Sequence, residues 1–298
     1  MPLLRDFSCR CKPNWPNSMS EATLPLISCH AEDFGQRFVA SLQTFGFAAL
    51  ADHPLSSTTI SRIYRDWRRF FASGEADQFR MNPQRQDGYF SLTEAEHAKG
   101  FAQRDHKEYF QYYPWGQCPT ALRDDLAHYY REAVAFAGKL LSFVDAFAPE
   151  SVRAQFSAPL ASMIESSEQS MLRVLHYPPV SPDTQVLRAA PHEDINFLTI
   201  LPAADGPGLE IQRKDGSWLP VPNRPEQVLI NIGDMLQEVS GGWLPSTTHQ
   251  VAIPSGADLM QGRMSLPLFL HPRPEVVLSS RHTARSYLSE RLEELGVV

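Results

Sequence analysis

Two side chains that bind divalent metals stand two residues apart within the stretch from Arg188 to Leu201: the imidazole of His192 and the carboxylate of Asp194. In an extended chain such neighbours point to the same face, so the pair offers two adjacent ligands. His249 supplies a second imidazole, at the start of another β-like run that follows Ser246, Thr247 and Thr248. Two histidines and one carboxylate on one side of a metal leave the other positions open. That donor set suits Fe(II) when O2 and an organic co-substrate must both reach it. A structural zinc site would need a closed set of four ligands, rich in cysteine, and nothing downstream completes Cys9 and Cys11 in that way. A zinc hydrolase could use the same three ligands. His30 with Glu32, and His106 with Glu108, are further His-x-Glu pairs, but neither falls on a strand of the expected barrel.

Beyond His249 come Arg263 and Ser265, alternating on one strand face. A guanidinium fork beside a hydroxyl suits a carboxylate held by two hydrogen bonds. Arg173 and Tyr177 add an inward cation or hydroxyl from the first strand of the same region.

These residues need a rigid frame. From Met171 onward, short apolar or alternating runs are separated by Pro, Gly, Asp and Asn. They predict strands at 171–177, 197–201, 209–212, 218–221, 228–232, 235–239, 249–253 and 264–270. Eight short strands punctuated by turns point to a jelly roll, or double-stranded β-helix. Upstream the pattern is helical: Phe34, Phe38, Leu42 and Phe45 share one face, as do Ile60, Ile63, Tyr64, Trp67, Phe70 and Phe71, with Ser56 or Ser57 as a cap. A long helix follows from Leu122 to Phe147. Residues 82–119 read as an irregular aromatic segment in which Tyr89, Tyr112 and Trp115 either line a substrate mouth or, more simply, pack against the core. The expected fold is therefore mainly β with α additions. A jelly-roll core over about 171–272 carries packed N-terminal helices within 19–170 and a C-terminal helix over 283–296, all in a single domain spanning 19–298.

Composition narrows the function. Hydrophobic residues make up 43% and charged residues 20%, an ordinary globular balance. The net charge of −7, with no block of like charge, disfavours a nucleic-acid or anionic-membrane surface. No apolar run reaches the roughly 18 residues that suggest a transmembrane helix. Residues 1–18 lack the apolar segment of a secretory signal and read as a disordered extension. The four cysteines, Cys9, Cys11, Cys29 and Cys118, read as free thiols in a reducing cytoplasm.

The set Tyr177-Pro178-Pro179, His192-x-Asp194, Asn231 to Asp234, Ser246 to His249 and Arg263-x-Ser265 resembles the isopenicillin N synthase-like branch of the 2-oxoglutarate/Fe(II)-dependent dioxygenases. The resemblance is specific over about 171–272 and looser over 20–72. It implies that His192, Asp194 and His249 bind Fe(II), and that Arg263 and Ser265 hold the distal carboxylate of 2-oxoglutarate with Tyr177 as a further donor. Leu175 stands where plant members commonly carry Asn, and Gln250 where a basic residue is usual. The activity implied is O2-dependent oxidative decarboxylation of 2-oxoglutarate coupled to hydroxylation or desaturation of a small molecule, with ascorbate as a possible reductant. A carboxylate at position 194 argues against halogenation, since halogenases of this family leave that place for chloride. The alternative within the branch is an oxidase of the isopenicillin N synthase type that needs no 2-oxo acid. Outside it, a catalytically silent jelly roll would have no use for these ligands. Ile195, Phe197, Leu236 and Phe269 are candidates for an apolar wall around the metal.

Overall fold

The computed structural model describes residues 23–94, 105–180, 188–253 and 262–294. The expected extension at 1–18, with Cys9 and Cys11, lies outside them. Among the described residues the N-terminal part runs β1 (Leu26–Ser28), α1 (Phe34–Phe45), β2 (Phe47–Ala51), α2 (Ser57–Ser73), β3 (Gly88–Phe90), β4 (Glu108–Tyr112), α3 (Thr120–Phe147), α4 (Glu150–Arg153) and α5 (Leu160–Ile164). The later part runs β5 (Met171–Tyr177), β6 (Ala189–His192), β7 (Leu198–Pro202), β8 (Leu209–Gln212), β9 (Trp218–Pro220) and β10 (Val228–Ile232). It closes with α6 (Asp234–Val239), β11 (His249–Val251), β12 (Arg263–Ser265), β13 (Leu268–Leu270) and α7 (Ala284–Glu294).

The strands form two facing sheets. The large one has the order β1-β2-β10-β7-β13-β5-β4-β3, with β12 also paired to β5, and the small one β6-β11-β8-β9. All pairs are antiparallel except β1 with β2. The pleat sorts side chains strictly. On β5, Leu172 and Val174 join the core under the helices, whereas Leu175 and Tyr177 pack toward the small sheet with Phe90, Tyr109, Ala189 and Val251. A further cluster, Phe45, Phe47, Ala49, Ile211 and Leu229 among them, fills the other end between the sheets.

The helices start and stop where the local chemistry directs. Ser56 caps α2, its hydroxyl accepting from Thr59 N at 3.2 Å. Helix α1 ends at Gly46, left-handed at φ 68°, whose N–H donates to the Leu42 carbonyl. A Cβ on Gly46 would lie 2.1 Å from Thr247 Oγ1, so this glycine also lets the segment leading into His249 approach closely.

Three expectations are corrected. Residues 235–239 are a helix, α6: Met235, Leu236 and Val239 fit a helical face as well as a strand, and the amides that open the turn are already taken. Gly233 N donates to Phe197 O, Asp234 N to Asp194 O and Met235 N to Asn196 O. The run 264–270 is two strands, β12 and β13, separated at Leu266 and Pro267, since proline has no N–H for a ladder. Residues 82–119 are not wholly irregular, because Gly88–Phe90 and Glu108–Tyr112 extend the large sheet beyond β5.

Trp67 on α2 anchors the helices to the sheet. It is 1% exposed, with ring centroids 5.0 Å from Phe70 and 4.8 Å from Phe110 of β4. Trp67→Ala should cost about 3–5 kcal/mol of stability, measured as a lower midpoint in urea at an unchanged slope. A loss below about 1 kcal/mol would mean that this contact does not hold the helical layer on.

Candidate metal centre

The register of the small sheet brings the two histidines together. His249 pairs directly with His192 across β11 and β6, with ring centroids 4.4 Å apart. Asp194 lies just past the end of β6 rather than on it, in the turn leading to β7. Its Oδ1 is 3.9 Å from His192 Nε2 and 3.9 Å from His249 Nε2. The three candidate ligand atoms all fall within 4.8 Å of one another, and no other metal-competent group of three occurs among the described residues. His30 and Glu32 are exposed, and Glu108 instead joins His176 Nδ1 at 2.7 Å and Tyr89 Oη at 2.5 Å.

Each candidate ligand is oriented by a second contact. His192 Nδ1 donates to Ala190 O at 2.8 Å and His249 Nδ1 to Thr247 O at 3.1 Å, which leaves both Nε2 lone pairs for a metal. Asp194 Oδ2 accepts from Thr199 Oγ1 at 2.5 Å and from Asn231 Nδ2 at 2.8 Å. Thr199 and Asn231 are cross-strand partners on β7 and β10, so one rung of the large sheet holds one oxygen of the carboxylate and turns the other to the imidazoles. Glu193 points elsewhere, accepting from Thr248 Oγ1 at 2.9 Å. Beside β6, Asp105 Oδ1 accepts from Ala190 N at 3.0 Å and its Oδ2 from Lys107 Nζ at 2.8 Å, pinning the strand that carries His192.

Electrostatics poise the group for a cation. Burial alone would push the Asp194 carboxyl up; the neighbouring His249 and His192 and the donors Thr199 and Asn231 outweigh it and hold the group below its ordinary value. Desolvation, then the adjacent His249, pushes the His192 imidazole down to about 4, so it is neutral and able to ligate at physiological pH. His271, which follows β13, is likewise pushed down by burial to about 4 and lies within reach of Asp194's charge.

Arg263 and Ser265 are 4% and 3% exposed, both between the sheets, with Arg263 opposite Tyr177 and Ser265 opposite Leu175. The Arg263 guanidinium lies 5.2 Å over the Tyr177 ring, and its Nε donates to Gly206 O at 3.1 Å. Its Nη1 is buried with no hydrogen-bond partner among the described residues. A buried guanidinium nitrogen left open in this way is costly unless an anion meets it. The donor set therefore fits Fe(II), and the open fork fits a carboxylate. Gln250 sits outside this shell, its amide donating to Glu210 Oε2 at 2.7 Å.

Other sequence candidates fall elsewhere. Tyr89 and Tyr112 are buried in the helix-side core, so the packing reading holds for them. Trp115 is 42% exposed, stacked 4.5 Å from Tyr113. Phe197 and Leu236 also belong to the helix-side core, with Ile195 packed against it, and Phe269 lies under the Arg173 guanidinium at 5.4 Å. Arg173 is inward as expected, 4.3 Å over Tyr109 and donating to Gln111 Oε1 at 2.5 Å. Sequence reasoning missed Thr199, Asp105, Lys107 and His271, and gave Asn231 no role. The signal available was a polar residue inside an otherwise apolar strand, as at Asn231 and Thr199. Cys29 and Cys118 are free, in line with the thiol reading.

A jelly roll with two imidazoles and a carboxylate at one end of its interior, and an arginine further along, defines a non-haem iron oxygenase scaffold. The 2OG-Fe(II) oxygenase superfamily profile matches residues 168–272, and a profile for the N-terminal region of a non-haem dioxygenase in morphine synthesis matches 23–129. The chain is 46% identical to a candidate oxygenase from Shewanella oneidensis of known structure, covering 93% of this chain and 100% of that one at a TM-score of 0.84. It is 28% identical to a candidate 2OG-Fe(II) oxygenase family protein from Caulobacter crescentus, covering 92% and 99% at a TM-score of 0.77. It is 26% identical to oxoglutarate-dependent flavonoid 7-O-demethylase 1 of Ocimum basilicum over 85% of this chain and 69% of that protein. The chain belongs to the 2-oxoglutarate/Fe(II)-dependent oxygenase superfamily, in its isopenicillin N synthase-like branch. It is an oxidoreductase of that type, and the oxidase reading that dispenses with 2-oxoglutarate is set aside.

The carboxylate brace is open to a direct check. Asn231→Ala should lower Mn(II) or Fe(II) affinity about tenfold or more, read by calorimetry, with the far-UV spectrum unchanged. Unaltered affinity would mean that the Thr199 bond alone orients Asp194.

Proposed function

We propose that His192, Asp194 and His249 hold Fe(II), and that Arg263 and Ser265, with Tyr177 as a further donor, bind the distal carboxylate of 2-oxoglutarate. The open, buried Arg263 Nη1 is the observation that carries the co-substrate assignment. Bound Fe(II) with the 2-oxo acid supplies the O2-dependent oxidising chemistry that hydroxylates or desaturates a substrate, with succinate and CO2 as the co-products. The chain's own contribution is orientation and exclusion of water. Thr199 and Asn231 aim one oxygen of Asp194 at the histidines. Backbone carbonyls fix both imidazole tautomers. Leu175, Tyr177, Ala189 and Val251 close an apolar layer between the sheets next to the arginine. Such a preorganised, dry site is what keeps oxidising chemistry aimed at the substrate.

The substrate is a small molecule that enters at the metal end of the barrel. Net acidity disfavours nucleic acid, and no helix among the described residues is long and apolar enough to cross a membrane. Ascorbate is the reductant that would keep the iron ferrous, and free thiols suit a cytoplasmic setting. Residues 19–298 act as one unit, an assignment supported by the continuous core that joins α1, α2 and α3 to the large sheet.

With iron-loaded protein, succinate should appear in step with O2 consumed. His249→Ala should abolish both turnover and the visible band that forms when 2-oxoglutarate meets Fe(II) protein. Arg263→Gln should weaken 2-oxoglutarate by about a hundredfold, since it strips the charge from a buried pair. Absence of succinate above background across a metabolite-extract screen would sink the co-substrate assignment.

A further inference from the structure

Strand β12 carries Arg263 and Ser265, yet it is only three residues long and pairs with a strand on one side, β5. Among the described residues its other edge is held by a single residue. Asp205 Oδ1 accepts from Met264 N at 2.5 Å, and Asp205 N donates to Met264 O at 3.3 Å, so one residue satisfies both backbone groups of the strand's middle position. The next residue continues the grip. Gly206 O accepts from Arg263 Nε, and a Cβ on Gly206 would come within 3.6 Å of Arg263 Cγ, so the loop backbone lies along the arginine stem. The direction of the Arg263 fork is thus set by the loop 203–206 rather than by β12 alone.

That loop is in turn held by helix α2. Tyr64 Oη donates to Ala203 O at 3.0 Å, and Arg68 Nη2 donates to Asp205 Oδ2. Tyr64 and Arg68 are four residues apart and so share one helix face. Arg68 also reaches the start of β12: a Cβ on Gly262 would stand 3.2 Å from Arg68 Nη1. The pairing separates charges as well as fixing geometry. Asp205 is the carboxylate nearest the base of the Arg263 side chain in this loop, and Arg68 takes up one of its oxygens while Met264 N takes the other. The Asp205 charge is thereby taken up by Arg68, and Arg263 keeps its Nη1 without a partner among the described residues.

We infer that Tyr64, Arg68 and Asp205 are positioning residues for the co-substrate, through which a helix of the N-terminal part sets the affinity for 2-oxoglutarate. The inference rests on Arg263 being the carboxylate anchor. Positioning residues of this kind act through the group they orient, so their loss shows in binding of that ligand and leaves the metal alone.

The test titrates 2-oxoglutarate anaerobically into Fe(II)-loaded protein, following the visible band, with Mn(II) affinity measured in parallel. Asp205→Ala and Arg68→Gln should each raise the Kd for 2-oxoglutarate about tenfold, with metal affinity within about twofold of wild type and uncoupled turnover at saturating 2-oxoglutarate little changed. Asp205→Asn keeps an acceptor for Met264 N and should recover part of the loss seen with alanine. Tyr64→Phe should raise the Kd by a smaller factor. A 2-oxoglutarate Kd within about twofold of wild type in both Asp205→Ala and Arg68→Gln overturns the inference, as does metal affinity falling in step with it. If Asp205→Ala does not fold, Arg68→Gln decides alone, because its side chain is 40% exposed and its loss leaves no cavity. Failure of the underlying assignment looks different: wild-type protein would not bind 2-oxoglutarate, or Arg263→Gln would bind it as wild type does.

Discussion

The geometry of the site depends on the divided carboxylate of Asp194. One oxygen is tied to Thr199 and Asn231, the other faces two imidazole nitrogens at equal distance. A carboxylate buried to 7% exposure would ordinarily favour its neutral form. Two donor bonds and two histidines reverse that preference and keep the group ionised. The large sheet supplies the donors and the small sheet the histidines, so the metal group exists only when both sheets are packed face to face. The turn that carries Asp194 is fixed from a third side by the first amides of α6.

The second constraint is charge left open on purpose. Two other buried cations among the described residues have partners close by: Lys107 has Asp105, and Arg173 has Gln111 together with two aromatic faces. Arg263 differs, with its Nε satisfied by a backbone carbonyl and its Nη1 aimed into the interior without a protein acceptor among the described residues. Along the barrel the two features are complementary. The metal group ends in lone pairs and a negative charge, the arginine in unmatched donors, and a keto acid has a chelating end and a distal carboxylate. The loop 203–206 and the α2 face behind it explain how a three-residue strand can hold such a group still.

Much of this was legible in the amino-acid order. The period-two alternation of residues 171–177 predicts which side chains of β5 turn inward, and Arg173, Leu175 and Tyr177 do. The helical faces of 34–45 and 57–71 follow from their apolar spacing. The spacing of His192 and Asp194 and the Arg263-x-Ser265 pattern mark the chemistry because few other functions need those types together. Apolar spacing was least informative where it fits two periods at once. Met235, Leu236 and Val239 serve a helix or a strand equally, and only the backbone acceptors offered by Asp194, Asn196 and Phe197 select the helix. The aromatic segment misled for a related reason: Tyr89 and Tyr112 are as suitable for a core as for a ligand mouth, and the pairing of β3, β4 and β5 turns them under the helices.

By itself the sequence determined the donor types, their order along the chain and the faces of the strands that bear them, because these follow from side-chain chemistry and a local repeat. Tertiary structure decided what no local rule contains. It set His249 opposite His192 by strand register, placed Asn231 and Thr199 on one rung behind Asp194, and brought Asp205 with Arg68 against the strand of Arg263. Each of those is a contact between segments far apart in the chain, and such contacts depend on packing of the two sheets and the helical layer, which no short stretch of residues encodes.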